Sequence, residues 1–198
     1  MVILDIIKRE IISMFGKVLT SLVLSTSIFS SLAPAQTEAA LKYKAGDILI
    51  TESTSSFGLT GHTGIMLNGS TALHIQKPGT YPKKISIKSW LKKYPKTKVV
   101  RPKSDTLGPK AAKKAASSFV DKKIGYRITM GPTSIKYTYC SEIVWYSYYK
   151  AGKKFMIYHQ GSDHVPAYWM EPSIIKPYDF INEHYLAHNG FKFVDNKW

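Results

Sequence analysis

The chain has a single cysteine, Cys140, in 198 residues. A lone thiol excludes an internal disulfide framework and any multi-cysteine zinc or iron–sulfur centre. Acidic residues are scarce too: 13 Asp and Glu stand against 28 Lys and Arg, a net charge of +15. Long apolar runs are nearly absent. The stretch that stands out, Val18 to Phe29, is shorter than the ~20 residues a membrane span needs and is diluted by Ser and Thr. No repeat and no linker divides the chain after it, so a repeat architecture is excluded and one domain is expected. With 44% hydrophobic and 13% aromatic residues, the composition is that of a folded domain rather than a disordered chain. A domain of this length buries enough surface to fold without a disulfide or metal staple.

The apolar stretch has an address-like context. Lys17 precedes it and Ala33-Pro34-Ala35 follows as a small-x-small cleavage pattern. That order reads as a secretory signal peptide over residues 1–35, with Met14 a natural alternative start; a transmembrane anchor is the competing reading. Cleavage after Ala35 leaves residues 36–198 at +14. The expected location is therefore outside the cell, secreted or wall-associated. There an unpaired thiol is a liability unless it is buried or used.

The positive charge is concentrated. Residues 77–123 hold 15 Lys/Arg against Asp105 and Asp121 alone. Such a field attracts anionic polymers, and an anionic cell envelope is the partner that fits export. Nucleic acid is the rival partner; the tract offers Tyr81, Trp90, Tyr94 and Phe119 as stacking aromatics but contains no binding module, so nucleic acid is not expected.

Local patterns give an α+β domain, with an antiparallel sheet packed against helices. Strands are expected at 46–51, 62–67, 71–76, 84–87 and 98–101, a short helix near Trp90, and helices over 110–120 and 139–150. The last shows a stripe of Cys140, Ile143, Val144 and Ser147 and ends at Ala151-Gly152. Asn68-Gly69 marks a hairpin between the second and third strands. Side chains alternate along a strand, so loop length decides whether His62 and His74 share a face. A three-residue loop, Leu67-Asn68-Gly69 with Gly69 left-handed, pairs Met66 with Ser70 and sets His62 directly opposite His74; a two-residue loop separates them.

Two histidines side by side allow one imidazole to act as a base while the other holds its tautomer. With Cys140 they also form a three-ligand set for a metal, though no neighbouring carboxylate offers a base for bound water. Cys140 falls at the start of a helix, where unbonded amides and the helix dipole are expected to lower the thiol pKa. Its own N–H then becomes an oxyanion donor. Glu142, two residues on, points away and is expected to cap. His184 and His188 have zinc-helix spacing, but Tyr185 stands where a metalloprotease needs Glu, so a surface helix is expected. His159 and His164 sit in a Gly/Asp loop and are given no role.

Gly46-Asp47-Ile48-Leu49, Gly61-His62-Thr63-Gly64-Ile65, His74 twelve residues after His62, and Tyr139-Cys140-Ser141-Glu142 together resemble the permuted papain-like branch of the NlpC/P60 superfamily. The nearest likeness is to YiiX/YaeF-like and YycO-like proteins; lecithin:retinol acyltransferase-like enzymes are more distant. The resemblance covers about residues 44–180. It implies a permuted papain-like fold, Cys140 as nucleophile, His62 as base and His74 at the orienting position. YiiX-like members usually carry Glu at that position, whereas a second histidine fills it in the acyltransferase-like branch.

The resulting expectation is a secreted thiol hydrolase, with no cofactor and no metal. It would cleave an amide bond in peptidoglycan stem peptides or related peptides through Cys140, His62 and His74. A lipid-directed acyl hydrolase or acyltransferase is the second reading, and a non-catalytic cationic envelope-binding protein the third.

Overall fold

The structure is a computed structural model that describes residues 41–54, 61–155 and 172–198. The expected signal peptide, His159 and His164 lie outside them.

Six strands form one sheet: β1 (Ile48–Thr51), β2 (His62–Met66), β3 (Thr71–His74), β4 (Lys83–Ser86), β5 (Thr97–Pro102) and β8 (Phe191–Asp195). Their order is β4-β3-β2-β1-β5-β8, and every neighbouring pair is antiparallel. The helices are α1 (Ile87–Lys93), α2 (Leu107–Phe119), α3 (Cys140–Lys150) and a single turn, α4 (Glu183–Leu186), which follows a 3-10 turn at Pro177–Ile181. A two-stranded parallel pair, β6 (Gly125–Tyr126) with β7 (Tyr137–Thr138), leads into α3. The expected α+β domain with an antiparallel sheet on helices is thus present.

Alternation along the central strands splits the core in two. Ile48, Ile50, Ile65, Leu73 and Val100 pack with Phe119 of α2 and with Ile143, Val144 and Tyr148 of α3. On the opposite face Leu49, Met66, Ala72 and Val99 pack with Trp90 and Tyr94, at the end of α1. Helix α1 is capped by Ser86, whose Oγ accepts from the Ser89 amide at 3.1 Å. Helix α2 begins at Leu107, three residues before the expected start. Pro109 is tolerated there because amides of the first turn have no intrahelical partner.

Helix α3 departs from expectation in a telling way. Its apolar stripe predicts one buried face, yet every residue from Cys140 to Tyr148 is buried, including Ser141, Glu142 and Ser147. The polar side chains that this burial strands are partly rescued: Ser147 Oγ donates to the Ile143 carbonyl at 2.6 Å and Ser141 Oγ to the Ile175 carbonyl at 2.8 Å. Tyr148 donates to the carbonyl of Gly46. Gly46 has φ +87°, and a Cβ there would collide with the backbone of Gly108, so glycine is required where β1 enters beside α2. Next to it the buried Asp47 carboxylate accepts from Arg101 Nε at 2.6 Å, from Arg101 Nη2 at 2.7 Å and from the Lys44 amide at 2.8 Å. This fork clamps β5 onto β1.

Strand β8 is an addition to the expected set. Phe191-Lys192-Phe193-Val194-Asp195 carries the alternation of an edge strand, and its pairing with β5 completes the sheet.

Candidate active site

The hairpin that carries both histidines is shifted from its expected register. Ile65 pairs with Leu73 and Met66 with Ala72, so the loop is Asn68-Gly69-Ser70, and extending the ladder sets Gly64, not His62, opposite His74. The cause is an Asn68 turn: its Oδ1 accepts from the Ser70 and Thr71 amides, each at 2.9 Å. Gly69 is not among the residues with positive φ, so the left-handed glycine of the expected loop is absent. A slip of two residues preserves the face of every side chain, whereas a slip of one reverses it. The histidines therefore still share a face as diagonal neighbours, with His62 Nε2 and His74 Nδ1 2.9 Å apart.

Aromatic packing holds the pair. His62 stacks on Trp90 with ring centroids 5.4 Å apart and 17° between planes, and Tyr94 lies 5.2 Å from it. Gly64 makes this possible, because a Cβ there would come within 2.9 Å of the Trp90 ring. Trp90 is fixed by donating Nε1–H to Thr97 Oγ1 at 3.1 Å, and that hydroxyl donates to the Tyr94 carbonyl at 2.6 Å. Burial lowers the pKa of both imidazoles to about 3, helped by Lys93 at His62 and by His62, Lys83 and Lys93 at His74. Both rings are neutral at physiological pH. With one proton each, His62 donating from Nε2 leaves Nδ1 as a free base and puts the remaining proton of His74 on Nε2, which is buried without a partner.

Cys140 and His62 line one cavity at one end of the sheet. There β1 and β3 end, β2 and α3 begin, and α1 runs out. The cavity is about 800 Å³, and His62, Cys140 and Ser141 line it with Tyr94, Tyr126 and Tyr139. His74 is fully buried behind His62 and is not part of the wall. Residues 174–178 form the far side. They are pinned next to the cysteine, because the Ile175 amide donates to the Tyr139 hydroxyl at 3.0 Å while Ser141 donates to the Ile175 carbonyl. The residues flanking Cys140 thus anchor the strap that shapes its pocket, a role the sequence did not suggest.

The thiol contradicts the expected activation. Burial raises the Cys140 pKa, and hydrogen bonds with Thr63 and Ser141 oppose it without reversing it. Helix-end stabilisation of a thiolate requires an unpenalised charge, and here the cysteine is buried, only 8% exposed. The resting pair is neutral thiol and neutral imidazole. Glu142 is another departure. Instead of capping at the surface it is fully buried; burial raises its pKa to about 7, against the pull of Thr138 and the Tyr139 amide. That pull is weak, because among the described residues no partner meets hydrogen-bond distance and angle for either carboxylate oxygen, nor for the buried Trp145 Nε1 and Thr138 Oγ1.

Helix α4 ends at Leu186, before His188, so the histidines of 184–188 do not share the expected helix. Among the described residues no group of three or more His, Cys, Asp or Glu is placed to hold a metal ion. Trp90, Tyr94 and Phe119, which the sequence offers for stacking on bases, are buried; Tyr81 alone of the four is exposed.

The description "lipoprotein N-acylation protein LnsA-like" matches residues 7–184, nearly the whole chain. The chain belongs to the LnsA-like family. It is also 28% identical over 171 residues to an uncharacterized 30.3 kDa protein of Bacillus thuringiensis, covering 76% of this chain. The chain spans 63% of that protein's length. Among solved structures it resembles the crystal structure of the metalloprotein YiiX from Escherichia coli O157:H7, with a TM-score of 0.56 and 19% identity, over 79% of this chain and 99% of that one. The LnsA-like chain therefore has a YiiX-like fold, the part of the sequence resemblance that the comparison carries.

Proposed function

We propose that this LnsA-like protein is a thiol acyltransferase of permuted papain-like architecture that takes an acyl group from a lipid onto Cys140. The observation that carries the reading is the shared cavity of Cys140 and His62, with His74 2.9 Å behind the imidazole. The lipid is favoured by the wall. Apart from His62 and Cys140, half of its sixteen lining residues are tyrosine, isoleucine or proline, three are the lysines Lys77, Lys93 and Lys176, and the other five are small or uncharged polar residues. An acyl chain with an anionic head matches that combination.

His62 removes the thiol proton as sulfur attacks the ester carbonyl, so no resting thiolate is needed. Charge on the carbonyl oxygen is met by amides of the first turn of α3, which have no intrahelical partner. The carbon–oxygen bond then breaks, and His62 returns the proton to the leaving oxygen. An amine next attacks the thioester while His62 takes its proton. The amide forms, and the sulfur leaves and is reprotonated. His74 acts throughout as a positioning residue. Water in place of the amine gives a lipid acyl hydrolase, whereas the wall-peptide amidase expected from the sequence would need Cys140 to attack a peptide amide and release an amine before water discharges the thioester. The matched family's name, lipoprotein N-acylation, favours an amine acceptor. Export through residues 1–35 and attraction of the 77–123 tract to an anionic envelope belong to this proposal, since both bring the enzyme to its substrate.

The test is mass spectrometry of the intact protein after incubation with phospholipid and, separately, with purified wall peptides. A fatty-acyl increment on Cys140, discharged by an added amine, is the expected result. Release of stem-peptide amides with no fatty-acyl adduct would replace this reading with the amidase.

A further inference from the structure

The wall of the cavity continues onto the surface as an apolar patch. Ile128 is 58% exposed, Met130 74% and Ile174 41%. These are three of the six large apolar side chains that stand exposed among the described residues; the other three are Tyr81, Leu91 and Trp198. Ile128 and Ile174 line the cavity, and Met130 lies two residues beyond Ile128. The two loops are tied together, since the Gly131 amide donates to the Ser173 carbonyl at 3.1 Å. Apolar side chains clustered at one opening mark a surface that something covers.

Charge identifies the cover. Lys77, Lys93 and Lys176 line the same cavity and are exposed, and Arg127, also exposed, lies over the Tyr137 ring at 4.2 Å. Among the described residues that line the cavity, none is Asp or Glu. Apolar tips inside a cationic rim are the complement of a bilayer with anionic headgroups: the tips enter the acyl boundary and the cations meet phosphate. We infer that the loops carrying Ile128, Met130 and Ile174 dock the protein onto an anionic membrane with the mouth of the cavity facing the lipid. This goes beyond the proposed chemistry by naming the surface through which a lipid would reach Cys140, without requiring that it react.

Hydrogen exchange on the full-length Cys140→Ser protein tests it, with and without phosphatidylglycerol vesicles. Exchange in residues 126–134 and 172–178 is expected to slow about fivefold. The Ile128→Asp and Met130→Asp double variant is expected to lose that protection and to partition about tenfold less. Three outcomes overturn the inference: protection confined to residues 1–40, equal protection by neutral phosphatidylcholine vesicles, or a double variant protected like its parent. Docking without acylation of Cys140 would instead break only the proposed chemistry. Acylation from detergent-dispersed lipid with no docking would break only this inference.

Discussion

The two faces of the sheet bury comparable residues for different purposes. The face under α2 and α3 is closed by Ile48, Ile65, Phe119, Ile143 and Tyr148, groups that ask nothing of their surroundings except to be dry. The face under α1 closes over Trp90 and Tyr94 and encloses two imidazoles that burial keeps uncharged. The first face stabilises the molecule; the second spends part of that stability holding polar groups in a fixed tautomer. Cys140 stands where the faces meet at the end of the sheet, part of the aliphatic core yet open to the cavity beside His62.

The largest effect is expected from removing the groups proposed to react at that junction. Cys140→Ala should lower acyl turnover about 10³-fold or more, and His62→Gln about 10²–10⁴-fold, with thermal unfolding nearly unchanged for Cys140→Ala. His74→Asn, which keeps an acceptor for His62, should retain more activity than His74→Leu. Equal losses in the two would show that His74 fills space rather than orients. On the other face, Phe119→Ala should cost about 3–5 kcal/mol of stability, measured by denaturant unfolding, with kcat/KM of the remaining folded protein preserved.

The pH dependence of stability sharpens the contrast. Both histidines have folded pKa values of about 3, below the unfolded 6.5. The unfolded chain therefore binds more protons between those limits, and their contribution is intact above pH 6.5 and lost on acidification toward 3. Glu142 runs the other way. Its folded pKa of about 7 exceeds the unfolded 4.5, so its contribution is intact below 4.5 and lost as pH rises through 7. Glu142→Gln should raise the melting temperature at pH 8 and leave it nearly unchanged near pH 4.5. A variant less stable at pH 8 would mean that the carboxylate has a partner that stabilises its charge. The smallest effect is expected from Gly64→Ala, whose methyl group must push Trp90 off His62. A loss of about 1–3 kcal/mol from overpacking, with activity falling further than stability explains, would show that the stack positions the base.

Much of this was readable from local pattern. The Asn68-Gly69 hairpin, the helix opening at Cys140 and the strand at 84–87 follow from turn chemistry and periodicity, which act over a few residues. The shared face of the histidines survived a misplaced register because strand periodicity is two, and the error was two residues. The C-terminal strand was visible only as a short alternation, and its partner β5 lies about ninety residues earlier. The Tyr139 and Ser141 anchors to Ile175 join segments more than thirty residues apart and left no local mark.

What the order of residues determined by itself was the inventory and its spacing: one thiol, a pair of imidazoles twelve residues apart, a basic tract, and the strands and helices that carry them. Tertiary structure alone decided their ionisation and company. Whether a helix start favours a thiolate, or whether Glu142 is a surface cap or a buried acid near neutrality, depends on how much water the rest of the chain removes, and desolvation is a property of the assembled fold rather than of any segment.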